Sequence, residues 1–587
     1  IEMRNLKIKR FWSATTTRGI INAISKPKTN ASSHVNAFRS IIASPYVITN
    51  DDVISKYTVD WTKNYQGGSV VCLPKSTEEV SKILQYCHEH NIGVVVQGGN
   101  TGLVGGGVGV GKHQPTTNCS SGVNGELIMN MGRMNKIIHI DPSAAVLVCE
   151  AGCILETLNN EVASQGLLMP LDLGAKGSCM IGGNVATNAG GLRVIKYGSM
   201  HANVLGLEVV LADGTVLDML RSIRKDNSGY PLKHYFIGAE GTLGVITKVS
   251  IALATKPLSS SVLLAKLSSF NQIHTLLKSA KTHLDANLSA FEFMDTNSLR
   301  VLGTVFPHLL TKIPPGVLPM DSNGNLLQNQ PSSRGIPGDV VVLMESSGSN
   351  TELDAIRLET FLTHIINTTA DSSMPLVVDA ALSMDSSQEA AMWNVRESVS
   401  VSLMELCRQN ISISNILSHK TNTNDVQKQP HPFKKLYKYD LSISFNQTDE
   451  FLSDLKLRFS QLEGVYVLDY NKSNQIEDGN HHCELMFCCF GHVADENLHL
   501  NIVATFYVND QEREKAIQSM QEILNHHVFD LIISKRGSIS AEHGIGQQKR
   551  AAMKLCRSES ELKVMRAIKN ALDPNDIMNP GKVLPEA

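Results

Sequence analysis

Three glycine-rich segments between residues 97 and 247 constrain the fold of this chain most strongly. Residues 97–107 read Gln-Gly-Gly-Asn-Thr-Gly-Leu-Val-Gly-Gly-Gly, residues 170–191 combine many small side chains with few charges, and residues 238–247 end in an apolar run. Glycine lets a backbone turn tightly and approach a ligand without a Cβ collision. The three segments therefore predict several loops that contact one long ligand.

The residues before the first glycine segment predict the scaffold that carries it. An apolar run at 69–73 predicts a short strand, and a capping-box pattern at Ser76 and Glu79 predicts a helix that runs to about residue 90. A second apolar run at 94–97 leads directly into the glycines. This strand–helix–strand order is a common way to present backbone N–H groups to a phosphate.

Later segments alternate in a similar way. Apolar runs predict strands at 145–150 and 205–211, and Asp213-Gly214 predicts a hairpin turn after the second of them. Residues 304–338 are rich in Pro and Gly and predict a loop or insertion. The polar stretch 410–432 has the composition of a flexible segment.

Two common nucleotide-binding motifs are incomplete or absent in this sequence. Gly106-x-x-x-x-Gly111-Lys112 approaches a phosphate-binding loop, but His113 stands where a Ser or Thr hydroxyl would hold magnesium. A nucleotide-hydrolysing enzyme is therefore rejected. A GxGxxG motif between a strand and a helix is also missing, which disfavours a nicotinamide site. A plain surface loop remains the alternative reading of the first segment.

Composition excludes several other classes. Lys and Arg number 53 against 56 Asp and Glu, so a strongly basic nucleic-acid binder is not expected. We find no uninterrupted apolar run of about 18 residues, so no transmembrane helix is predicted. The 11 cysteines are scattered without a CxxC pair, and this pattern favours buried thiols in a reducing compartment over a disulfide scaffold.

The N-terminus has a composition of its own. Residues 1–50 contain one acidic residue, Glu2, and eight Lys or Arg among many Ser, Thr and Asn. This is typical of an organelle transit peptide, and the apolar centre of a secretory signal is missing. We predict a mitochondrial presequence that directs the chain to the matrix, with a disordered basic tail as the alternative. Residues 1–45 are expected to stay outside the fold.

A histidine and carboxylate pattern near the C-terminus suggests a metal site. His492, His499 and Glu542 would form a set of two His and one carboxylate that suits zinc with an open position. The spacing of seven residues is not that of ligands on one helix, so a turn must bring the two His together. By spacing alone, such residues are more often ordinary core or surface groups.

Taken together, these segments resemble the FAD-linked flavoproteins with a vanillyl-alcohol-oxidase-type FAD domain. Residues 170–191 and 205–251 are most similar to the D-2-hydroxyglutarate dehydrogenases, and the D-lactate dehydrogenases come next. The likeness runs from about residue 60 to the C-terminus, with insertions near 112–124, 306–337 and 404–434. It implies an α+β fold, in which a two-subdomain PCMH-type FAD-binding domain is joined to an α+β substrate or cap domain.

The resemblance also implies domain boundaries. Residues 60–255 would form the FAD-binding domain, and residues 256–530 the substrate domain with flexible insertions near 306–337 and 404–434. Residues 531–587 would return to complete the active site.

By the same resemblance, the glycine-rich segments hold FAD, with the loop 98–102 at the pyrophosphate and the other two along the isoalloxazine and adenine. Asn579, in a closing Asn-Pro-Gly-Lys turn, would touch the flavin. The implied FAD-binding residues are Gln97, Gly98, Gly99, Asn100, Thr101, Gly102, Leu171, Asp172, Gly177, Ser178, Gly182, Gly183, Thr187, Asn188, Gly190, Gly191, Glu240, Gly241, Gly244, Ile246 and Asn579.

The resemblance assigns further roles at the reacting centre. It makes His492, His499 and Glu542 ligands of a divalent metal, with zinc as the first candidate and iron or manganese as alternatives. His543 would be the catalytic base, and it would face the substrate together with Asn501. The implied residues that bind the substrate carboxylate are Arg396, Ser400 and Lys438. Without the resemblance, Arg396 reads as a solvated helix ion pair and Lys438 as a partly buried surface lysine.

The implied reaction is metal-assisted oxidation of D-2-hydroxyglutarate to 2-oxoglutarate, with hydride passing to N5 of FAD and an electron-transfer flavoprotein as a candidate acceptor. A D-lactate dehydrogenase and a D-2-hydroxyglutarate–pyruvate transhydrogenase are the alternatives. An inactive flavin-binding protein is a third, because Ala494 and Glu496 stand where relatives have glycine. If those positions require a positive φ, each substitution costs roughly 1 kcal/mol or more. Val96 and Met180 are milder departures.

Overall fold

The computed structural model describes residues 31–110, 126–314, 316–318, 340–370, 374–409, 432–468 and 482–586. Three larger sheets of four, five and eight strands organise this part of the chain. Helices pack against them, so the predicted α+β class is confirmed. Two short ladders also occur, Leu167–Leu168 with Ala254–Thr255 and Thr369–Ala370 with Met374–Pro375.

The four-stranded sheet carries the first glycine segment at its edge. Its order is Val47–Ile48, Val70–Cys72, Leu127–Asn130 and Val94–Gln97. The last three strands are parallel, and helix Thr77–His90 makes the predicted crossover. The Ser76 hydroxyl accepts the N–H of Glu79, which caps this helix. The Glu79 carboxylate accepts from Lys75 rather than from Ser76, so only half of the predicted capping box forms.

The helix Ala31–Ile41 corrects the expectation that residues 1–45 lie outside the fold. Phe38 is fully buried and Ile42 almost so, in the core that also contains helix Thr77–His90. Val35, Phe38 and Ile42 follow helical spacing, but the basic composition of the surrounding fifty residues obscured this pattern. Residues 1–30, which hold most of the predicted presequence, lie outside the described residues.

The five-stranded sheet is antiparallel throughout. Its order is Ile137–Asp141, Val146–Glu150, Val245–Ala252, Val204–Val210 and Val216–Met219. The strands predicted at 145–150 and 205–211 are confirmed, as is the hairpin turn, in which Gly214 has a φ of +88°. The smaller helices of this half are Asp51–Thr58, Leu155–Ala163, Ile181–Ala186, Val194–Tyr197, Met200–Asn203 and Lys233–Phe236.

The eight-stranded sheet holds both histidine-bearing strands. Its order is Asp379–Leu382, Ser259–Leu267, Val340–Gly348, Leu288–Met294, Cys483–His492, Asn497–Phe506 and Phe433–Ser442, with Val465–Val467 parallel to Cys483–His492. Helices cover both faces, which explains the near-continuous burial of the strands. One face carries Gln272–Leu284, Thr351–Asn367, Thr448–Ser460 and Arg513–Ser534, and the other carries Thr296–Val305 and Ser386–Arg408.

Regular secondary structure extends into both ends of the predicted insertion near 404–434. Helix Ser386–Arg408 continues five residues into the segment 404–434, and strand Phe433–Ser442 begins before its end. Most of 306–337 and 404–434, and all of 112–124, lie outside the described residues.

The C-terminal segment returns to the four-stranded sheet. After helices Met553–Cys556 and Glu559–Leu572, the buried residues Ile577 and Met578 run beside Val94. The Val94 N–H donates to the Ile577 carbonyl at 2.7 Å. The domain boundaries near 60, 256 and 531 stay predictions. Within the described residues, none of the helices combines the length and apolar character that a membrane span requires.

The N-terminal helix gives a first test. Truncation of Phe38 to Ala removes a fully buried ring, and we expect a loss of about 3–5 kcal/mol from the free energy of unfolding. Urea unfolding followed by circular dichroism measures this loss. Tyr230→Ala is the matched control because Tyr230 is 87% exposed, and it is expected to change stability by less than about 0.5 kcal/mol. Equal, small effects of the two variants would contradict the docking of this helix.

Candidate active site

A cleft of about 1050 Å³ lies between the glycine-rich segments. Its walls combine residues from all three segments with the C-terminal turn, as the sequence predicted. The predicted cofactor residues that line it are Gly98, Gly99, Asn100, Thr101, Gly102, Gly182, Gly183, Thr187, Glu240, Gly241, Gly244, Ile246 and Asn579.

The cleft fits an extended cofactor that carries phosphate. A Cβ on Gly102 or Gly183 would meet no protein atom within 4 Å, so it would project into ligand space. A Cβ on Gly99 would instead collide with the Ser178 carbonyl, where two glycine segments pack together. The N–H groups of residues 99–102 find no acceptor within the described part of the chain. Successive N–H groups of this kind bind phosphate oxygens.

The other predicted cofactor residues are not among the residues that line the cleft. The Gln97 amide donates to the Gly107 carbonyl at 2.7 Å and so supports the first segment from inside. Asp172 is ion-paired with Arg193 and Lys176. Contact of these residues with FAD stays a prediction. The full set is Gln97, Leu171, Asp172, Gly177, Ser178, Asn188, Gly190 and Gly191.

Sequence reasoning missed several lining residues. Gly106 and Gly107 belong to a segment that the sequence had singled out, and Val96 and Met180 had been noted only as departures. Four further lining residues lie within the glycine-rich segments but are not glycines, and the apolar lining residues outside these segments carried no motif that distinguishes lining from core. The remaining missed lining residues are Val104, Met131, Ala151, Cys179, Asn184, Ala186 and Phe236.

A tight hairpin brings the two predicted metal-ligand histidines together. Strands Cys483–His492 and Asn497–Phe506 are antiparallel, with Phe490 opposite His499. Because side chains alternate along a strand, His492 and His499 lie on the same face of the sheet. The turn that the spacing required is therefore present.

The distances between these donors fit a metal ion. His492 Nε2 lies 3.3 Å from His499 Nε2, and Glu542 Oε1 lies 3.8 Å and 3.6 Å from the two nitrogens. Tetrahedral zinc with bonds of about 2.0–2.2 Å requires ligand separations of about 3.4 Å. The three predicted ligands thus form a donor set that an ion can enter with small side-chain shifts.

A second grouping shares two of these residues. Asp440, His499, Glu542 and His543 also place one donor atom each within 4.8 Å of one another. Asp440, however, approaches Nδ1 of His499, with its Oδ1 3.8 Å from that nitrogen, whereas His492 and Glu542 approach Nε2. We therefore favour the set with His492, whose Nε2 is directed at the other two donors.

Glu292 orients His492 from the opposite side. Its Oε1 lies 2.7 Å from His492 Nδ1, and its Oε2 accepts from Arg396 Nη2 at 2.7 Å. The Glu292 side chain is 1% exposed. A carboxylate on Nδ1 fixes the ring and leaves Nε2 to bind a metal. No sequence motif pointed to Glu292, which lies 200 residues before His492.

Electrostatics favour a charged carboxylate beside a neutral imidazole. Burial lowers the pKa of His499 to about 3, which leaves its lone pair available. Burial opposes the charge on Glu542, but His492 and the other two histidines lower its pKa to about 2. Burial also opposes protonation of His492, yet Glu292 raises its pKa well above the ordinary value. Metal binding would therefore displace a proton from His492.

The two departures in the hairpin differ in their consequences. Glu496 has a φ of +63°, so the expected strain for a residue with a Cβ is present there. Ala494 is outside the positive-φ region, so no such strain arises at that position. The Glu496 side chain is exposed, and its C=O accepts the Ile443 N–H. The hairpin keeps its form despite both substitutions.

The predicted carboxylate-binding residues lie on helix Ser386–Arg408 and strand Phe433–Ser442, and none of them is among the residues that line the cleft. Lys438 Nζ lies 3.0 Å from Ser400 Oγ, and Ser400 follows Arg396 by one helical turn. Lys438 lies opposite Asn501 in the sheet. Burial lowers the pKa of Lys438 to about 8. Arg396 already donates Nε and Nη2 to Glu292, so the bidentate edge expected for the substrate is occupied and its Nη1 edge remains.

His543 joins the metal-ligand cluster to the cleft. Its ring lines the cleft, and its Nε2 lies 3.6 Å from Glu542 Oε1. The side chain is 26% exposed, more than those of His492 and His499. It stacks nearly parallel to His499 at 5.7 Å between ring centroids. His543 thus places an imidazole between the cleft and the histidine–carboxylate cluster.

Comparisons with known proteins agree with this geometry. The family model for the FAD binding domain matches residues 68–220, and the model for FAD linked oxidases, C-terminal domain, matches residues 256–583. Both matched ranges contribute residues to the cleft, and the histidine cluster lies within the second range.

Curated relatives extend over nearly the whole chain. A probable mitochondrial D-2-hydroxyglutarate dehydrogenase of Oryza sativa subsp. japonica is 38% identical, with 95% of this chain and 82% of the relative covered. The mitochondrial D-2-hydroxyglutarate dehydrogenase of Arabidopsis thaliana is 39% identical with the same coverage. A D-2-hydroxyglutarate–pyruvate transhydrogenase of Saccharomyces cerevisiae is 33% identical, with 93% of each chain covered.

Solved structures show the same fold at low identity. Alkyldihydroxyacetonephosphate synthase has a TM-score of 0.62 at 14% identity, covering 95% of this chain and 86% of that one. Substrate-bound p-cresol methylhydroxylase has a TM-score of 0.60 at 15% identity, covering 94% and 97%. The family models and the curated relatives define an FAD-dependent oxidoreductase. The chain belongs to the FAD-linked oxidase family, in the branch that contains the D-2-hydroxyglutarate dehydrogenases.

The shared carboxylate gives the second test. In Glu292→Gln one oxygen becomes an NH₂ group that faces a donor, so Arg396 or His492 loses its acceptor. We expect a loss of about 3–5 kcal/mol in the free energy of unfolding, as for a broken buried ion pair. Asp530→Asn breaks the more exposed Arg458–Asp530 pair and is expected to cost less than about 1 kcal/mol. Urea unfolding of both variants compares them, and equal costs would contradict the role of Glu292.

Proposed function

We propose that this chain oxidises D-2-hydroxyglutarate to 2-oxoglutarate with FAD and a divalent metal, zinc being the first candidate. The observation that carries the proposal is the position of His543, which lies both in the flavin cleft and beside the metal-ligand cluster. The names of the curated relatives support the substrate. The donor distances support the metal.

The proposed chemistry divides between cofactors and side chains. Bound FAD supplies the hydride acceptor for the substrate Cα. His492, His499 and Glu542 would hold a divalent metal, which would supply Lewis acidity to the substrate. His543 accepts the hydroxyl proton, because an imidazole is an effective base near neutral pH.

The second carboxylate of the substrate distinguishes this proposal from its alternatives. Lys438 and Ser400 lie side by side, and Arg396 presents its free edge one turn away. Together they offer a cation, a hydroxyl and a guanidinium to the distal carboxylate of a dicarboxylic acid. D-lactate lacks that group, so a D-lactate dehydrogenase would give these three side chains no substrate group to bind. A transhydrogenase would use the same substrate and differ only in its electron acceptor. Similarity to the yeast transhydrogenase makes this activity the second candidate.

Localisation and electron acceptor complete the proposal. The mitochondrial names of the relatives and the acid-poor basic N-terminus support the mitochondrial matrix. An electron-transfer flavoprotein is the proposed acceptor.

Anaerobic reduction of the bound flavin tests the function. The full chain, loaded with FAD and zinc, is mixed with D-2-hydroxyglutarate or with D-lactate, and the flavin absorbance is followed in a stopped-flow instrument. We expect rapid bleaching by the dicarboxylate and slow or no bleaching by lactate. Bleaching by lactate alone favours the lactate dehydrogenase. Reoxidation of the reduced flavin by pyruvate favours the transhydrogenase.

The pH profile of kcat/KM tests Lys438 separately. Lysine is charged below its pKa, so its attraction for the distal carboxylate is present below about pH 8 and lost above it. We expect kcat/KM for D-2-hydroxyglutarate to fall above about pH 8. Lys438→Arg stays charged and should remove this decline. Lys438→Met should lower kcat/KM about 10- to 100-fold below pH 8, the loss of one hydrogen bond to a charged group.

D-lactate provides the control for this profile. It lacks the distal carboxylate, so Lys438→Met should leave any lactate activity almost unchanged. A wild-type profile for D-2-hydroxyglutarate in the Lys438→Met variant would refute the assignment.

A further inference from the structure

Asp440 collects three consecutive amides of the segment that carries Glu542 and His543. Its Oδ2 accepts the N–H groups of Ala541, Glu542 and His543 at 3.1, 3.0 and 2.9 Å. Asp440 is 2% exposed and lies on strand Phe433–Ser442 of the eight-stranded sheet. One carboxylate oxygen thus fixes the backbone of three successive residues.

Glu240 grips the next part of the same segment. Its Oε1 accepts the Ile545 N–H at 2.7 Å, and its Oε2 accepts the Gly546 N–H at 2.8 Å. The intervening Gly544 has a φ of +81°, and a Cβ there would lie 2.7 Å from Glu240 Oε1. This glycine is therefore required for the carboxylate to approach. Glu240 itself lines the flavin cleft.

We propose that Asp440 and Glu240 are positioning residues that together hold the segment 541–546, here called the clamped loop. The proposal rests on the proposed function, because the loop carries the proposed metal ligand Glu542 and the proposed base His543. Asp440 lies in the eight-stranded sheet, and Glu240 lies just before strand Val245–Ala252 of the five-stranded sheet. The clamped loop is therefore fixed at both ends by different parts of the fold.

The positive charge of Lys549 acts on both buried carboxylates, Asp440 and Glu240. Lys549 Nζ lies 3.7 Å from Asp440 Oδ2 and 3.0 Å from Ser540 Oγ. Burial opposes ionisation of Asp440, but His543, Lys549 and His499 lower its pKa below the ordinary range. Burial raises the pKa of Glu240, which the two backbone N–H groups and the charges of Lys549 and Lys582 partly offset.

Replacement of the carboxylate by an amide is expected to have different effects at Glu240 and at Asp440. Glu240 uses both oxygens, one for each N–H, so Glu240→Gln places an NH₂ group against a backbone donor. Asp440 uses Oδ2 for all three amides, and its Oδ1 has no hydrogen-bond partner within the described residues. Asp440→Asn retains an oxygen for the three amides, whereas Asp440→Ala removes it.

The test measures zinc affinity, turnover and amide exchange on the full chain loaded with FAD. Zinc affinity is measured by competition with a chromogenic chelator. We expect Glu240→Gln and Asp440→Ala to weaken zinc binding about 10- to 100-fold, as for lost partners of metal ligands, and to lower kcat more than they change KM for D-2-hydroxyglutarate. Asp440→Asn should restore most of the zinc affinity. Amide exchange at residues 541–546 should rise in the first two variants.

Two further variants keep the result interpretable. Glu208→Gln changes a buried carboxylate that bonds Thr77, Thr247 and Lys248, away from the clamped loop, and should leave zinc affinity, kcat and loop exchange unchanged. Gly544→Ala keeps both carboxylates, but its new Cβ would push the clamped loop away from Glu240. It should therefore lower zinc affinity and kcat as Glu240→Gln does.

The outcomes separate this inference from the proposed function. The inference would be overturned if loop exchange and kcat were unchanged in Glu240→Gln and Gly544→Ala. It would also be overturned if Glu208→Gln impaired zinc affinity, kcat and loop exchange equally. A wild-type chain that takes up no zinc would instead remove the metal from the proposed function. The exchange of residues 541–546 would still decide the clamp in that case.

Discussion

The eight-stranded sheet depends on the hydrogen bonds that join the buried Glu292 carboxylate to His492 and Arg396. Strand Leu288–Met294 places it directly opposite His492 in the sheet, so strand register alone brings acceptor and imidazole together. Its second oxygen is bonded to Arg396 on the covering helix. A charge in the middle of a sheet is stable only with partners of this kind. The same pairing orients a metal ligand and limits how Arg396 can meet a substrate.

Much of the fold could be predicted because local patterns coincide with the tertiary structure. The capped helix after Ser76, the strand before the first glycine segment and the turn at Asp213-Gly214 each follow from neighbouring residues. The glycine segments were recognisable because backbone approach to a ligand demands glycine. The resemblance then supplied the roles of His492 and His499, which spacing alone left open.

The remaining features depend on contacts that a single sequence does not encode locally. Glu292 is the one acidic residue of a largely apolar strand, Asp440 lies in a strand that also carries three lysines, and only sheet register reveals what the two carboxylates face. Glu240 looked like one more cofactor residue, yet its carboxylate is bonded to a segment three hundred residues later. Cleft lining by Met131 or Phe236 is likewise a matter of packing, since apolar residues carry no signal that separates lining from core.

The docked helix Ala31–Ile41 sets a boundary for shortened forms of this protein. Removal of the chain up to residue 30 leaves every contact described above in place. Removal up to residue 45 takes away Phe38 and leaves an apolar cavity beside helix Thr77–His90 and strand Val94–Gln97, which leads into the first glycine segment. Heterologous production for spectroscopy or crystallisation should therefore begin before Ala31, even though the basic composition of the region invites a later start.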